Sequence, residues 1–225
     1  MDNFRHKIAL LKQARIFNSN GGISSNTTQP FTENFQDNNR NWTIGTSTNA
    51  ATNSTLNASI TQNQYMLQIS SSTGQTYFPH PSIGTLPNNF TLTVKMKETQ
   101  VDHNPSFYGL AFREKDNGSS GVSCYALAIY PNGVYAVRKY DPTATNSFIP
   151  LGQSNQPFSA IKTTINSWNE LKVVVTGSSF TFYINGTPLP GTNAPDSSLT
   201  GGQIALLISG TNATFVASQV TLTTP

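Results

Sequence analysis

The segment from Trp168 to Gly186 reads Trp-Asn-Glu-Leu-Lys-Val-Val-Val-Thr-Gly-Ser-Ser-Phe-Thr-Phe-Tyr-Ile-Asn-Gly. A two-residue turn at Gly177-Ser178 sets Val175 opposite Phe180, Val173 opposite Phe182 and Leu171 opposite Ile184. All six are apolar and share one face. Glu170, Lys172, Val174 and Thr176 share the other face with Thr181, Tyr183 and Asn185. Side chains alternate with a period of two, so a slip of one residue would turn all six apolar groups to water. The register is therefore strongly specified, and Asn185-Gly186 supplies the turn pair that ends the second strand. A chain with this pattern is committed to antiparallel sheet with one buried face.

The rest of the chain beyond Pro30 follows the same rule. Phe31 to Phe35 is a short first strand, and Leu56–Ile60 with Tyr65–Ser70 forms a hairpin. Phe90, Leu92, Val94 and Met96 alternate with Thr91, Thr93, Lys95 and Lys97, and Phe107–Glu114 follows. A second specified hairpin joins Cys124–Tyr130 to Val134–Tyr140 through Pro131-Asn132-Gly133, with Gly133 at the left-handed position of a three-residue connection. Strands at Gln203–Ser209 and Phe215–Leu222 close the series. Roughly a dozen strands and no helical periodicity after residue 30 predict an all-β chain, a two-sheet antiparallel sandwich.

Residues 1–30 differ. Phe4, Ile8 and Leu11 have helical spacing, with Arg5, Lys12 and Arg15 elsewhere on the wheel. The spacing predicts a basic amphipathic helix over 1–17 and a flexible linker over 18–30. The sequence thus divides into 1–30, a helical tail with its linker, and 31–225, the β domain. The net charge of +3 lies wholly in residues 1–17, and the remainder holds nine basic and nine acidic residues. The pI near 9.0 describes the tail and not the domain. An electrically balanced domain lacks the basic face that nucleic-acid binding needs, so no nucleic-acid partner is expected. No apolar run approaches the roughly 20 residues of a membrane-spanning helix. Ile8-Ala9-Leu10-Leu11 is too short for the apolar core of a secretory signal. The Ser-, Thr- and Asn-rich composition, with 10% charged residues, suits a solvated β surface and recurs in secreted and surface-displayed proteins, which favours an extracellular setting without fixing one. Eight Asn-x-Ser/Thr triplets are expected by chance in such a chain.

The order of motifs from residue 31 to 222 resembles the concanavalin A-like lectin and glucanase superfamily, and within it the laminin-G-like bacterial domains. The resemblance rests on Phe31, Glu33-Asn34, Phe35, Asp37 and Trp42, and on Tyr108-Gly109-Leu110-Ala111-Phe112-Arg113. It continues in Tyr125-Ala126-Leu127-Ala128-Ile129 with Tyr135, in Trp168-Asn169-x-Leu171-x-Val173, and in Phe182-Tyr183-Ile184-Asn185-Gly186. It implies a jelly roll of two large sheets. Relatives carry an Asp-Asn pair near the last strand where this chain has Ser218-Gln219, so no metal-binding role is carried over there.

Catalytic members of that superfamily use Glu-x-Asp-x-x-Glu, which alternation places on one face as nucleophile and general acid. This chain has no such motif. Its nearest approach, Glu114-Lys115-Asp116, sits where a strand enters the polar loop 117–121 and lacks a third carboxylate. No nucleophile elbow occurs. Cys124 is the sole cysteine and the three histidines are scattered, so neither a disulfide nor a zinc site is expected. No catalytic residue, metal or cofactor is assigned.

The central hairpin carries the candidate site. With Tyr130 opposite Val134, Ala128 faces Ala136, Ala126 faces Arg138 and Cys124 faces Tyr140, while Tyr125, Leu127, Ile129, Tyr135 and Val137 take the core side. The strand at 107–114 divides likewise. One surface then has a floor of Gly109, Ala111, Ala126, Ala128 and Ala136, with Arg113, Tyr130, Arg138 and Tyr140 reaching solvent around it. Flat rings and a forked guanidinium suit sugar rings and hydroxyls. The plainer reading is that small residues permit sheet curvature. The sequence reading is a non-catalytic, lectin-like binding or adhesion domain for carbohydrate or a glycoconjugate. The competing reading is a structural subunit of a surface appendage, shell or virion, with residues 1–17 as a docking arm for a protein partner or for self-assembly.

Overall fold

A computed structural model describes residues 27–100, 106–118, 121–144, 147–192 and 195–225. The helix expected over 1–17 and most of the linker lie outside the described residues. Fourteen strands follow in chain order: β1 (Phe31–Glu33), β2 (Gly45–Asn49), β3 (Ser54–Thr61), β4 (Gln64–Tyr77), β5 (Asn89–Gln100), β6 (Phe107–Asp116) and β7 (Val122–Ile129). Then come β8 (Val134–Tyr140), β9 (Phe148–Pro150), β10 (Gln156–Pro157), β11 (Asn169–Thr176), β12 (Ser179–Ile184), β13 (Thr187–Pro188) and β14 (Gln203–Thr223). All strand pairs are antiparallel, and the strand path β10-β8-β7-β6-β14-β5-β11-β12-β13 runs through both layers of a β-sandwich jelly roll.

The two layers are joined because β14 is long. Its first half, Gln203–Ser209, pairs with β6, and its second half pairs with β5 and β1. The register shifts between Gly210 and Asn212, where β14 passes from one layer to the other beside β4. The first layer therefore holds β6, β7 and β8. The second holds β5, β11 and β12. Between them, the Phe112 ring meets Phe180 edge-on with centroids 5.2 Å apart, and Tyr125 lies 4.7 Å from Phe180.

The β11–β12 hairpin has the register read from its side chains: Leu171 with Ile184, Val173 with Phe182 and Val175 with Phe180. All six are buried. Gly177 opens the turn at φ 57°, the left-handed conformation that a two-residue connection needs. The β7–β8 pair likewise sets Ala128 against Ala136 and Ala126 against Arg138. Before β1, the Thr28 amide donates to the Thr85 carbonyl at 2.9 Å, and its hydroxyl donates to the Gly84 carbonyl. Thr28, at the end of the expected linker, is thus hydrogen-bonded to the loop at 84–85.

Candidate functional site

The outer face of the first layer is built by alternation. Tyr108, Leu110 and Phe112 on β6, with Tyr125, Leu127 and Ile129 on β7, enter the main core. Ala111, Cys124, Ala126, Ala128, Tyr140, Ala205 and Leu207 form a second apolar cluster on the opposite side. Gly109 lies on this face and pairs with Ala128. A Cβ placed on it would lie 1.9 Å from the Leu127 carbonyl oxygen, so β6 and β7 approach as closely as they do only because residue 109 has no side chain.

The hollow on this face is shallow and apolar. Its floor is Ala126, Ala128 and Ala136, and its walls are Phe78, Phe107, Tyr130, Tyr140, Phe148, Leu207 and Arg138. Phe107 tilts against Tyr130 at 5.3 Å, and Tyr140 lies between Phe148 at 4.9 Å and Phe78 at 5.7 Å. The Arg138 guanidinium sits 5.4 Å from the Phe148 ring centroid and donates from Nη2 to Asn155 Oδ1 at 2.6 Å. Its Nε is buried with no hydrogen-bond partner. Ring and amide together hold the guanidinium at the rim, with no carboxylate in ion-pair contact among the described residues.

The expected site residues separate into three groups. Ala126, Ala128, Ala136, Tyr130 and Arg138 come together around the hollow, with Tyr130 and Arg138 half-buried at its edge. Gly109 and Ala111 share the face but do not line the hollow; aromatic side chains packed on that side close it off. Two positions depart from expectation. Tyr140 does not reach solvent: it is 6% exposed and forms a buried wall, because cross-strand pairing with Phe148 and contact with Phe78 enclose it. Burial, and secondarily the neighbouring Cys124, raises its phenol above the ordinary tyrosine range.

Arg113 is the larger correction. It is 1% exposed and lies away from the hollow. The β6–β7 register breaks between Phe112 and Lys115, and Arg113 adopts φ 53°. This bulge ends the alternation that placed residue 113 beside Ala111. The guanidinium instead donates to the carbonyls of Leu199 at 3.1 Å, Asn88 at 3.2 Å and Gly177 at 2.6 Å, and lies 5.5 Å from the Phe180 ring centroid. It fastens three loops at one end of the sandwich.

Phe78, Phe107 and Phe148 were absent from the expected site. Phe107 was within reach, since it stands two residues before Gly109 on the same face. Phe78 and Phe148 arrive from the end of β4 and from β9, and only the topology brings them there. Glu114 stands beside Arg113 in the bulge and is buried. Burial raises its carboxyl above the usual carboxylate value of 4.5, the His80 charge opposes this, and Asp116 adds to it. Burial likewise pushes the Cys124 thiol well up, which leaves it an inert hydrophobe. Among the described residues, no group of three or more His, Cys, Asp or Glu side chains is placed to hold a metal, and no helix is long and apolar enough to cross a membrane.

No family model matches this sequence, and no curated protein matches it. Solved structures do share the fold. A GlcNAcα1-4Gal-releasing endo-β-galactosidase from Clostridium perfringens superposes with a TM-score of 0.57 at 11% identity, over 90% of this chain and 64% of that one. A structure from the endo-acting O-glycanases of the human gut microbiota gives 0.53 at 10% identity, over 87% and 98% of the two chains. The potassium-bound carbohydrate recognition domain of Emp46p gives 0.51 at 8% identity, over 84% and 94%. At these identities the likeness is one of fold, an antiparallel β-sandwich jelly roll.

Proposed function

We propose that this chain is a non-catalytic carbohydrate-binding domain that takes a saccharide on the outer face of β7 and β8. The observation that carries the reading is the hollow itself: an alanine floor, rings at its rim and a guanidinium held ready by Phe148 and Asn155. Aromatic walls offer the apolar face of a sugar ring a surface, and the fork of Arg138 offers donors to its hydroxyls or to an acidic substituent. The residues around the hollow include no carboxyl group. Glycoside hydrolysis by the usual mechanisms needs two of them, spaced across the scissile bond, so the same lining favours recognition over cleavage. The laminin-G-like likeness and the sugar-recognising neighbours of the fold are in keeping with this proposal.

Binding of the purified monomer to an array of neutral and acidic glycans tests it. A hit is expected, and Arg138→Ala should weaken that hit by about 1–3 kcal/mol through loss of charged hydrogen bonds, with little change in Tm because the side chain stands at the rim. Failure to bind any glycan, with concentration-dependent rings or filaments in negative stain, would replace this reading with that of a structural subunit.

A further inference from the structure

The outer face of the second layer carries a different chemistry. Trp168, just before β11, is half-buried. Two ammonium groups approach its ring, Lys97 Nζ at 4.7 Å and Lys95 Nζ at 5.8 Å from the centroid. On the same face, Lys172 Nζ lies 4.1 Å from the Tyr183 ring centroid. Among the described residues, no carboxylate comes within the 4.0 Å of an ion pair with any of the three. Lys95 opposes Glu170 across the β5–β11 pair, yet its ammonium goes to the indole.

Two like charges drawn to one ring repel each other, and Glu170, the cross-strand neighbour of Lys95, makes no ion pair with either. An anion seated between them would relieve that repulsion and keep the cation–π contacts. The lysines are also ordered along the sheet. Lys97 and Lys95 are two residues apart on β5, and Lys172 on β11 pairs with Thr93, two residues further on. At about 3.4 Å per residue the three positions step by about 7 Å. Thr93 pairs with Lys172 and with Thr221, and Thr181 pairs with Val174 two residues along, so three threonines share this face by register.

We propose that this face of β5, β11 and β12 is a second binding surface, for an acidic saccharide bearing sulfate or uronate groups. One anionic group sits between Lys95 and Lys97 above Trp168, and the chain runs toward Lys172 and Tyr183. An acidic saccharide fits better than a single-stranded nucleic acid, because stacked bases need open ring faces and here lysines already occupy the rings. The threonine hydroxyls suit sugar hydroxyls. This surface is independent of the hollow on the first layer.

The test uses the full chain, a heparin-derived hexasaccharide, maltohexaose as a neutral chain, and an oligodeoxythymidylate of matched charge. Tryptophan fluorescence is the local readout, since Trp42 is buried and Trp168 is not. The sulfated hexasaccharide should perturb it, with an affinity that falls as salt rises. Lys95→Ala/Lys97→Ala should weaken binding at least about tenfold and Lys172→Ala about threefold, the size expected for losing solvent-exposed charge pairs. Arg138→Ala, on the other layer, should leave the Trp168 fluorescence response unchanged. The basic segment at residues 1–17 is present in every variant, so the differences read the face alone. Melting temperatures close to the parent's confirm that the variants are folded. Undiminished binding by the double-lysine variant would overturn the proposal, as would equal binding of the oligothymidylate or of maltohexaose.

Discussion

Arg113 shows how one backbone angle redirects a side chain and what the redirected side chain then does. The φ of 53° at the end of β6 sends a guanidinium toward three carbonyls instead of toward solvent. Arg113→Ala would leave the carbonyls of Asn88, Gly177 and Leu199 without that donor. Hydrogen bonds to charged groups contribute about 1.5–3 kcal/mol each, so the variant should lose at least about 3 kcal/mol in urea unfolding. A loss below 1 kcal/mol, within the scatter of surface substitutions, would mean that the clamp is not structural. Glu114, the next residue, makes a pH-dependent contribution. Its carboxyl is raised above 4.5 chiefly by burial, so the folded state prefers the protonated form. The stability this gives is present below the unfolded value and is lost as pH rises through the raised folded value. Glu114→Gln cannot ionise. It should match the parent at pH 4 and be the more stable of the two at pH 7, with the gap opening between. Parallel stability curves for the two proteins would contradict this.

At the scale of elements, hairpins were the most legible parts. The register of β11 with β12 and that of β7 with β8 both follow from apolar residues that must share a face, and burial of the six apolar β11–β12 residues enforces the first. Less legible were the places where alternation stops. The β6 bulge that buries Arg113 and the register shift at Gly210–Asn212 in β14 have no motif that announces them. Turns outside the glycine rules were also hidden. Gln62 and Asn63 join β3 to β4 with φ of 51° and 56°, left-handed values at two residues that have side chains. Such a conformation costs a non-glycine residue about 1–2 kcal/mol, partly offset by the greater chain entropy glycine brings to the unfolded state. Gln62→Gly should therefore raise the urea midpoint slightly, by a stabilisation of up to about 1 kcal/mol. A clear fall would show that the Gln62 side chain does something the turn geometry does not reveal.

At the scale of the molecule, the candidate site was half legible. The face was, because Ala126, Ala128 and Ala136 fall on it by period two alone. Its walls were not, because Phe78 and Phe148 reach the hollow only once β4 and β9 are placed beside their partners. The same placement narrows the hollow and encloses Tyr140, leaving Tyr130 and Arg138 as the groups at its edge. The second layer presents a contrasting face that carries Lys95, Lys97 and Lys172, in a domain whose basic and acidic residues balance overall. On the proposed reading, the two unlike outer faces would hold a glycan by two different chemistries. The most direct test of the central claim is a map of backbone amide shifts in the labelled protein, titrated with the strongest neutral glycan from the array. The account predicts shifts concentrated at Ala126, Ala128, Tyr130, Ala136 and Arg138, and their loss in Arg138→Ala. Saturable shifts confined to other parts of the sandwich, with these five residues silent, would contradict it.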